Sequence, residues 1–194
     1  ELKTPLTLLR AELELMDDRA GVREPLLMQV EHLARQVQQL LLLAEASEPL
    51  SYHFVPLDVA EVTRDSLQFL QPIAEEAHVS LSLIVSDEAV VWHADRGALF
   101  TLLKNLMENA IQHAPAESDV RTEITAGCIT VRDYGPGVTQ DALPLLFSRF
   151  WRGAHRRDSG AGLGLAICHE IALAHGWQLA AENAQPGLRL ALKR

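Results

Sequence analysis

Two apolar seams at the head of the chain restrict its architecture more than any other feature. Leu2, Leu6, Leu9, Leu13 and Met16 recur at alternating steps of four and three, and so do Leu26, Val30, Leu33, Val37, Leu40 and Ala44. That spacing keeps one stripe of a helix apolar, as in a coiled coil. The intervening DDRAGVRE has the length of a turn between antiparallel helices. A single hairpin leaves its stripe half covered, so pairing of two copies into a four-helix bundle is expected, with packing against the same chain as the alternative. The first seam opens without a helix cap, and Glu1 is read as a boundary inside a longer helix.

The texture changes at EASEPLSYH, where a proline and small polar residues mark a linker. The expected division is a helical hairpin over 1–47 and a second unit over 52–194. Strands are expected over 52–57, VSLSLIV, AVVWH, VRTEITA, CITVRD, WQLAAEN and LRLALK. Helices are expected from the cap Asp58 to about Ala77, from the cap Asp95 to about His113, and from about Leu163 to His175 before Gly176. Strands paired antiparallel, with the helices on one face, make an α+β fold, a two-layer α/β sandwich.

Composition excludes several function classes. With 26 acidic against 17 basic residues and a net charge of -9, the chain lacks the basic face of a general nucleic-acid binder. Cys128 and Cys168 lie in apolar runs and read as buried free thiols in a reducing compartment. No stretch approaches the roughly 18 apolar residues of a membrane span.

Four constellations carry chemistry. In NLMENAIQH, Asn105, Asn109 and His113 are four apart and share a helix face. The amide oxygens of Asn105 and Asn109 are hard ligands that add no charge beside a phosphate, so the pair suits Mg2+; taken alone the run reads first as an exposed helix face. In DYGPG, Asp133 ends a strand before Gly135 and Gly137, where a backbone can approach a flat ligand closely. A carboxylate only accepts hydrogen bonds, which favours the amino group of adenine over the carbonyl of guanine. LFSRFWRGAHRRDSG gathers Arg149, Arg152, His155, Arg156 and Arg157, with Phe147, Phe150 and Trp151 as anchors for a flap whose guanidiniums meet phosphates. A solvated basic loop is the alternative. GAGLGLAI sets Gly160, Gly162 and Gly164 before a helix, where free amides and the helix dipole attract anions. It is neither a Walker loop nor a dinucleotide fingerprint. HEIALAH, from His169 to His175, lacks the spacing of a zinc-protease helix and reads as structural, and His32, His78 and His93 read as boundary or surface residues.

The order and spacing of these runs resemble the ATP-binding domain of bacterial two-component sensor histidine kinases, within the gyrase, Hsp90 and MutL-like ATPases. ELKTPL is similar to the family's phosphoacceptor motif with its leading histidine removed. The resemblance implies ATP and Mg2+ as cofactors, with Asp133 selecting adenine, Asn109 and Asn105 holding the metal, and Gln112 and His113 beside the nucleotide. Gly135 and Gly137 would line the base, while Arg152 and the turn of Gly160, Gly162, Leu163, Gly164 and Leu165 would meet the triphosphate. Glu1 would be the general base for the missing histidine, Thr4 would orient water for dephosphorylation of a response regulator, and Pro5 would bend the helix nearby. It further implies a homodimer through the hairpin, a cognate response regulator docking near Leu9 to Leu13, and a membrane-bound parent protein whose upstream segments leave this portion in the cytoplasm.

Gln112 and His113 depart from the family, which often has lysine and tyrosine there, and this puts one phosphate contact in question. None of the eight histidines stands in the phosphoacceptor position, so the chain is expected to bind ATP without phosphorylating itself at the usual site. A related ATP-hydrolysing enzyme is disfavoured, because Asn105 stands where those proteins carry a water-activating glutamate. A degenerate ATP-binding scaffold would have damaged boxes.

Overall fold

The computed structural model describes residues 7, 11, 13, 23–46, 52–86, 90–153 and 162–194. Most of the first apolar seam lies outside these residues; Thr7, Ala11 and Leu13 are helical. The second seam forms α1 (Arg23–Ala46). Then follow β1 (Val55–Asp58), α2 (Val59–Glu76), β2 (Ser80–Val85), β3 (Val91–Ala94), α3 (Arg96–His113), β4 (Asp119–Thr125) and β5 (Cys128–Arg132). A 3-10 turn at Gln140–Leu145 precedes α4 (Gly164–Ala174), β6 (Gln178–Asn183) and β7 (Leu188–Lys193). Among the described residues no helix is long and apolar enough to cross a membrane.

Local chemistry accounts for the helix boundaries. The side chains of Asp58 and Asp95 accept backbone N–H groups of the first turns of α2 and α3, as N-caps do. Pro115 follows the end of α3, and Gly176, with a φ of 70°, ends α4. On α2 the buried positions Val59, Val62, Ser66, Leu70 and Ala74 fall three and four apart, so one stripe faces the core. The Ser66 hydroxyl donates to the Val62 carbonyl and costs that stripe nothing in unmet hydrogen bonds.

Five strands form the main sheet in the order β2-β4-β5-β7-β6. Antiparallel pairing was expected throughout, but β2 and β4 run parallel, Ser80 facing Asp119 and Val85 facing Ile124. The reason is the connection. After β2 the chain passes through β3 and α3 before it returns, and such a crossover brings a strand back in the same direction. The strand expected over AVVWH also leaves this sheet, since β3 pairs only with β1 in a two-stranded ribbon.

Alternation along β4, β5 and β7 places Val120, Ile124, Ile129, Val131, Leu190 and Leu192 on one buried face. Leu99, Leu102, Leu103, Leu106 and Met107 of α3 share their core cluster. Burial of each such side chain is worth roughly 1.5–3 kcal/mol, so the sandwich follows from pattern matching between sheet face and helix stripe. α1 packs along α4, and its Leu43 joins the same core. The hairpin helix therefore leans on its own chain at one end, while Met28, Leu33 and Leu40 stay exposed. Of the two thiols only Cys168 is buried; Cys128, first residue of β5, is only partly so, because it follows the exposed turn at Gly127.

Among the described residues two buried side-chain atoms have no hydrogen-bond partner, Arg132 Nε and the hydroxyl of Thr122, the latter fully buried on β4. An unmet buried hydroxyl costs on the order of 1–3 kcal/mol. Thr122→Val is expected to stabilise the fold by ~1 kcal/mol, read as a higher urea midpoint at unchanged slope; a lower midpoint would show that the hydroxyl is satisfied in solution.

Candidate functional site

Three segments converge beyond the helix layer: the polar face of α3, the loop after β5, and the start of α4. α3 is pressed on the sheet by its leucines, which turns Asn105, Asn109 and His113 to another side. Asn105 is itself buried. Its amide donates to the Thr101 carbonyl at 2.9 Å, and this fixes the side chain and frees Oδ1 to face away from the helix. A methyl group placed on Gly164 would lie 3.5 Å from that oxygen, so the first residue of α4 sits beside the asparagine. Asn109 is half-buried a turn further on, and Gln112 and His113, also half-buried, are engaged in contacts of their own.

Asp133 is the deepest carboxylate of the described residues, with 3% of its surface exposed. Its Oδ1 accepts the Gly135 N–H at 2.8 Å and the Leu188 N–H at 3.3 Å. Both bonds converge on Oδ1, and among the described residues none goes to Oδ2. Burial pushes the carboxyl above its ordinary 3.8, and the two N–H groups with nearby His113 pull it only part of the way back.

Close backbone packing makes this arrangement possible. A side chain on Gly135 would overlap the carbonyl of His113, and one on Gly187 would overlap that of Asp133. Glycine is required at both places for steric reasons. Gly137, at a φ of 67°, continues the loop, which Asn183 pins by accepting the Val138 N–H at 3.0 Å and donating to its carbonyl at 2.7 Å.

The basic segment enters from the 3-10 turn. Phe147 stacks on His169 at 5.8 Å, and Arg149 pairs with Glu170 at 3.0 Å, so both bind the segment to α4. Phe150 was expected to anchor with its ring, but the ring is 62% exposed. Its anchor is the backbone: Phe150 N–H donates to the Gly162 carbonyl at 3.0 Å, with Phe150 at φ 64° and Gly162 at φ 71°. Both ends of the loop meet there. Trp151 packs partly into the core, and Arg152 is exposed and engaged. Leu163 is buried at the start of α4, leaving only its backbone for a ligand, and Leu165 is half-buried beside the core.

The structure thus sets Asn105 beside Gly164, and His113 and Asp133 beside Gly135, while Gly137 lies against Asn183 and Gly162 against Phe150 and Trp151; Asn109 stands on α3 between Asn105 and His113. Glu1, Thr4 and Gly160 lie outside the described residues, as do Pro5, His155, Arg156 and Arg157. Sequence reading missed Asn183, Gly187 and Leu188, which come from the β6–β7 hairpin. A strand-end asparagine and a glycine after a proline signal only a turn, so nothing in one sequence ties them to Asp133. No group of three or more His, Cys, Asp or Glu side chains among the described residues is placed to hold a metal ion; a cation here would rest on amide oxygens.

The raised carboxyl has a stability consequence. Between the unfolded value near 3.8 and the higher folded value, the folded chain holds more proton than the unfolded one, so Asp133 costs increasing stability as pH rises through that window. Asp133→Asn keeps an acceptor for the two N–H groups and removes the titration. Urea unfolding of both chains from pH 3 to pH 7 is expected to show the variant gaining on the native chain as pH rises; parallel curves would mean that the carboxyl titrates normally.

Residues 94–191 match the family model described as histidine kinase-, DNA gyrase B- and HSP90-like ATPase. The sensor protein QseC of Escherichia coli K12 is 31% identical over 96% of this chain, which spans 43% of QseC. The histidine-protein kinase/phosphatase MprB of Mycobacterium ulcerans is 31% identical over 96% of the chain and 39% of its own length. The crystal structure of full-length ShkA in complex with AMPPNP superposes with a TM-score of 0.81, at 25% identity over 98% of this chain and 43% of ShkA. The sequence runs, the fold and these likenesses agree that the chain belongs to the histidine kinase-, DNA gyrase B- and HSP90-like ATPase family.

Proposed function

We propose that the chain is part of a two-component sensor histidine kinase that binds Mg-ATP and passes the γ-phosphate to a histidine just upstream of Glu1, then to an aspartate of a response regulator. The observation that carries the reading is Asp133: a buried carboxylate held at Oδ1 by two N–H groups, with Oδ2 left for a ligand. Its acceptor-only oxygen suits the amino group of adenine. Backbone packed against Gly135 and Gly187 gives the flat wall that a base needs.

The remaining roles follow the positions of the walls. Asn109, helped by Asn105, would hold Mg2+, which when bound supplies positive charge against the triphosphate. Gln112 and His113 stand at the end of the same helix, and Arg152 with Gly162, Leu163, Gly164 and Leu165 at the opposite wall. Amides at the start of α4 would orient phosphate oxygens there. Glu1 would take the proton from the attacking imidazole, while Thr4 would position water for the reverse reaction on the regulator. The name of MprB, a kinase/phosphatase, supports that second activity. The chain's two parts would be the hairpin over 1–47 and the ATP-binding unit over 52–194. The exposed Met28, Leu33 and Leu40 support a homodimer through the hairpin. The sensor and membrane segments would lie outside these residues, with this portion in the cytoplasm.

Calorimetric titration with AMPPNP tests the reading. Magnesium-dependent binding, absent for the guanine analogue and weakened about 10–100-fold by Asp133→Asn, is expected from loss of one hydrogen bond to a charged group. No binding by the native chain would favour a scaffold; binding that ignores Asp133 would remove its assigned role.

A further inference from the structure

A second polar cluster lies where α3 begins and α4 ends, and no step of the proposed reaction uses it. The carboxylate of Asp95 is divided there. Oδ1 accepts the Ala98 N–H at 2.8 Å and caps α3, while Oδ2 accepts the N–H of His53 at 2.9 Å. Partial burial pushes this carboxyl up, but the N–H groups of Ala98, His53 and Gly97, with His175, hold it below its ordinary value. The group is a carboxylate with both oxygens committed to backbone.

His175 completes the cluster from α4. The Asp95 N–H lies 3.2 Å from Nε2, and the Ile171 carbonyl lies 2.8 Å from Nδ1. An amide can only donate and a carbonyl can only accept, so the ring is neutral, with its proton on Nδ1. Tyr52 and Phe54 pack edge-on against this ring at 5.0 and 4.8 Å, and Trp177 lies 4.3 Å away. Residues 52–54 are the described segment between α1 and β1, and α1 itself rests on α4.

The two helices gathered here are the two that wall the nucleotide site at their other ends. α3 runs from the Asp95 cap to His113 beside Gly135, and α4 runs from Gly164 beside Asn105 to His175. At 1.5 Å per residue they are rods of about 27 and 16 Å. A shift of residues 52–54 at one end is therefore carried to both walls at the other.

We infer that Asp95 and His175 are positioning residues that couple the placement of residues 52–54, which link the helical hairpin to the ATP-binding unit, to both helices of the nucleotide site. The inference rests on the nucleotide reading above. Coupling is reciprocal, so a ligand that fixes the two helices must also steady the segment.

Hydrogen exchange of the whole chain, with and without Mg-AMPPNP, reads this directly. Asp95→Ser and Asp95→Asn each keep one oxygen for the α3 cap but lose the acceptor for His53, so they separate capping from coupling. In the native chain AMPPNP is expected to slow exchange at 52–54 about five-fold or more, together with slowing over 105–113. In both variants the slowing at 105–113 should remain and that at 52–54 should vanish. Slowing at 105–113 alone in the native chain, or equal slowing at 52–54 in the variants, would overturn the coupling and leave the nucleotide reading in place. No slowing in either region would overturn both.

Discussion

Burial of α3 against the sheet sets the direction of the polar groups that this helix brings to the site. Leu99, Leu102, Leu103, Leu106 and Met107 are all fully buried, and a helix with that much apolar contact has one rotational setting. In that setting Asn105 turns towards Gly164, and the carbonyl of His113 comes against Gly135. A rotation of even one side-chain position would expose a leucine and withdraw an asparagine together. Recognition is thus tied to core packing, and α4 adds to it: Cys168 donates to the Leu102 carbonyl at 3.4 Å while Ile167 and Ile171 fill the core.

Asp133 illustrates the opposite economy. A buried carboxylate is disfavoured unless hydrogen-bonded, and here two N–H groups serve one oxygen only. The folded chain bears the resulting penalty, visible as the upward shift of the carboxyl. A group held in this condition binds a donor more strongly than a solvated one would, because less water has to be displaced from it. Arg149 pairs with Glu170 at 3.0 Å, which ties the start of the basic segment to α4.

Much of this was legible in the sequence because its signals are local. Asp58 and Asp95 before apolar periodicity, and Gly176 after it, marked the helix ends to within a residue. The residue pattern of VRTEITA and LRLALK gave the strands. The parallel pairing of β2 with β4 was not legible, since strand direction depends on the path of the chain through α3 and not on any residue in the strands. Likewise the DYGPG run announced Asp133 and contains the Gly135 N–H that holds it, but the second N–H comes from Leu188, 55 positions away. Phe150 misled for a related reason. Its aromatic ring suggested a hydrophobic anchor, whereas a φ of 64° turns the ring outward and leaves the backbone N–H to close the loop.

Helix capping and long-range positioning draw on the same chemistry in this fold. A helix cap is ordinarily a local matter worth about 1 kcal/mol. Asp95 makes it non-local by giving its second oxygen to a segment 42 residues earlier in the chain. Serine or threonine caps a helix as well, but neither has a second acceptor oxygen of the same kind to hold His53. The choice of aspartate at this cap therefore has a reason beyond α3. Asp58, which caps α2 through Oδ1 on Ala60 alone, lacks such a second partner among the described residues. The difference between the two caps separates a helix that only has to form from one whose position has to be known elsewhere.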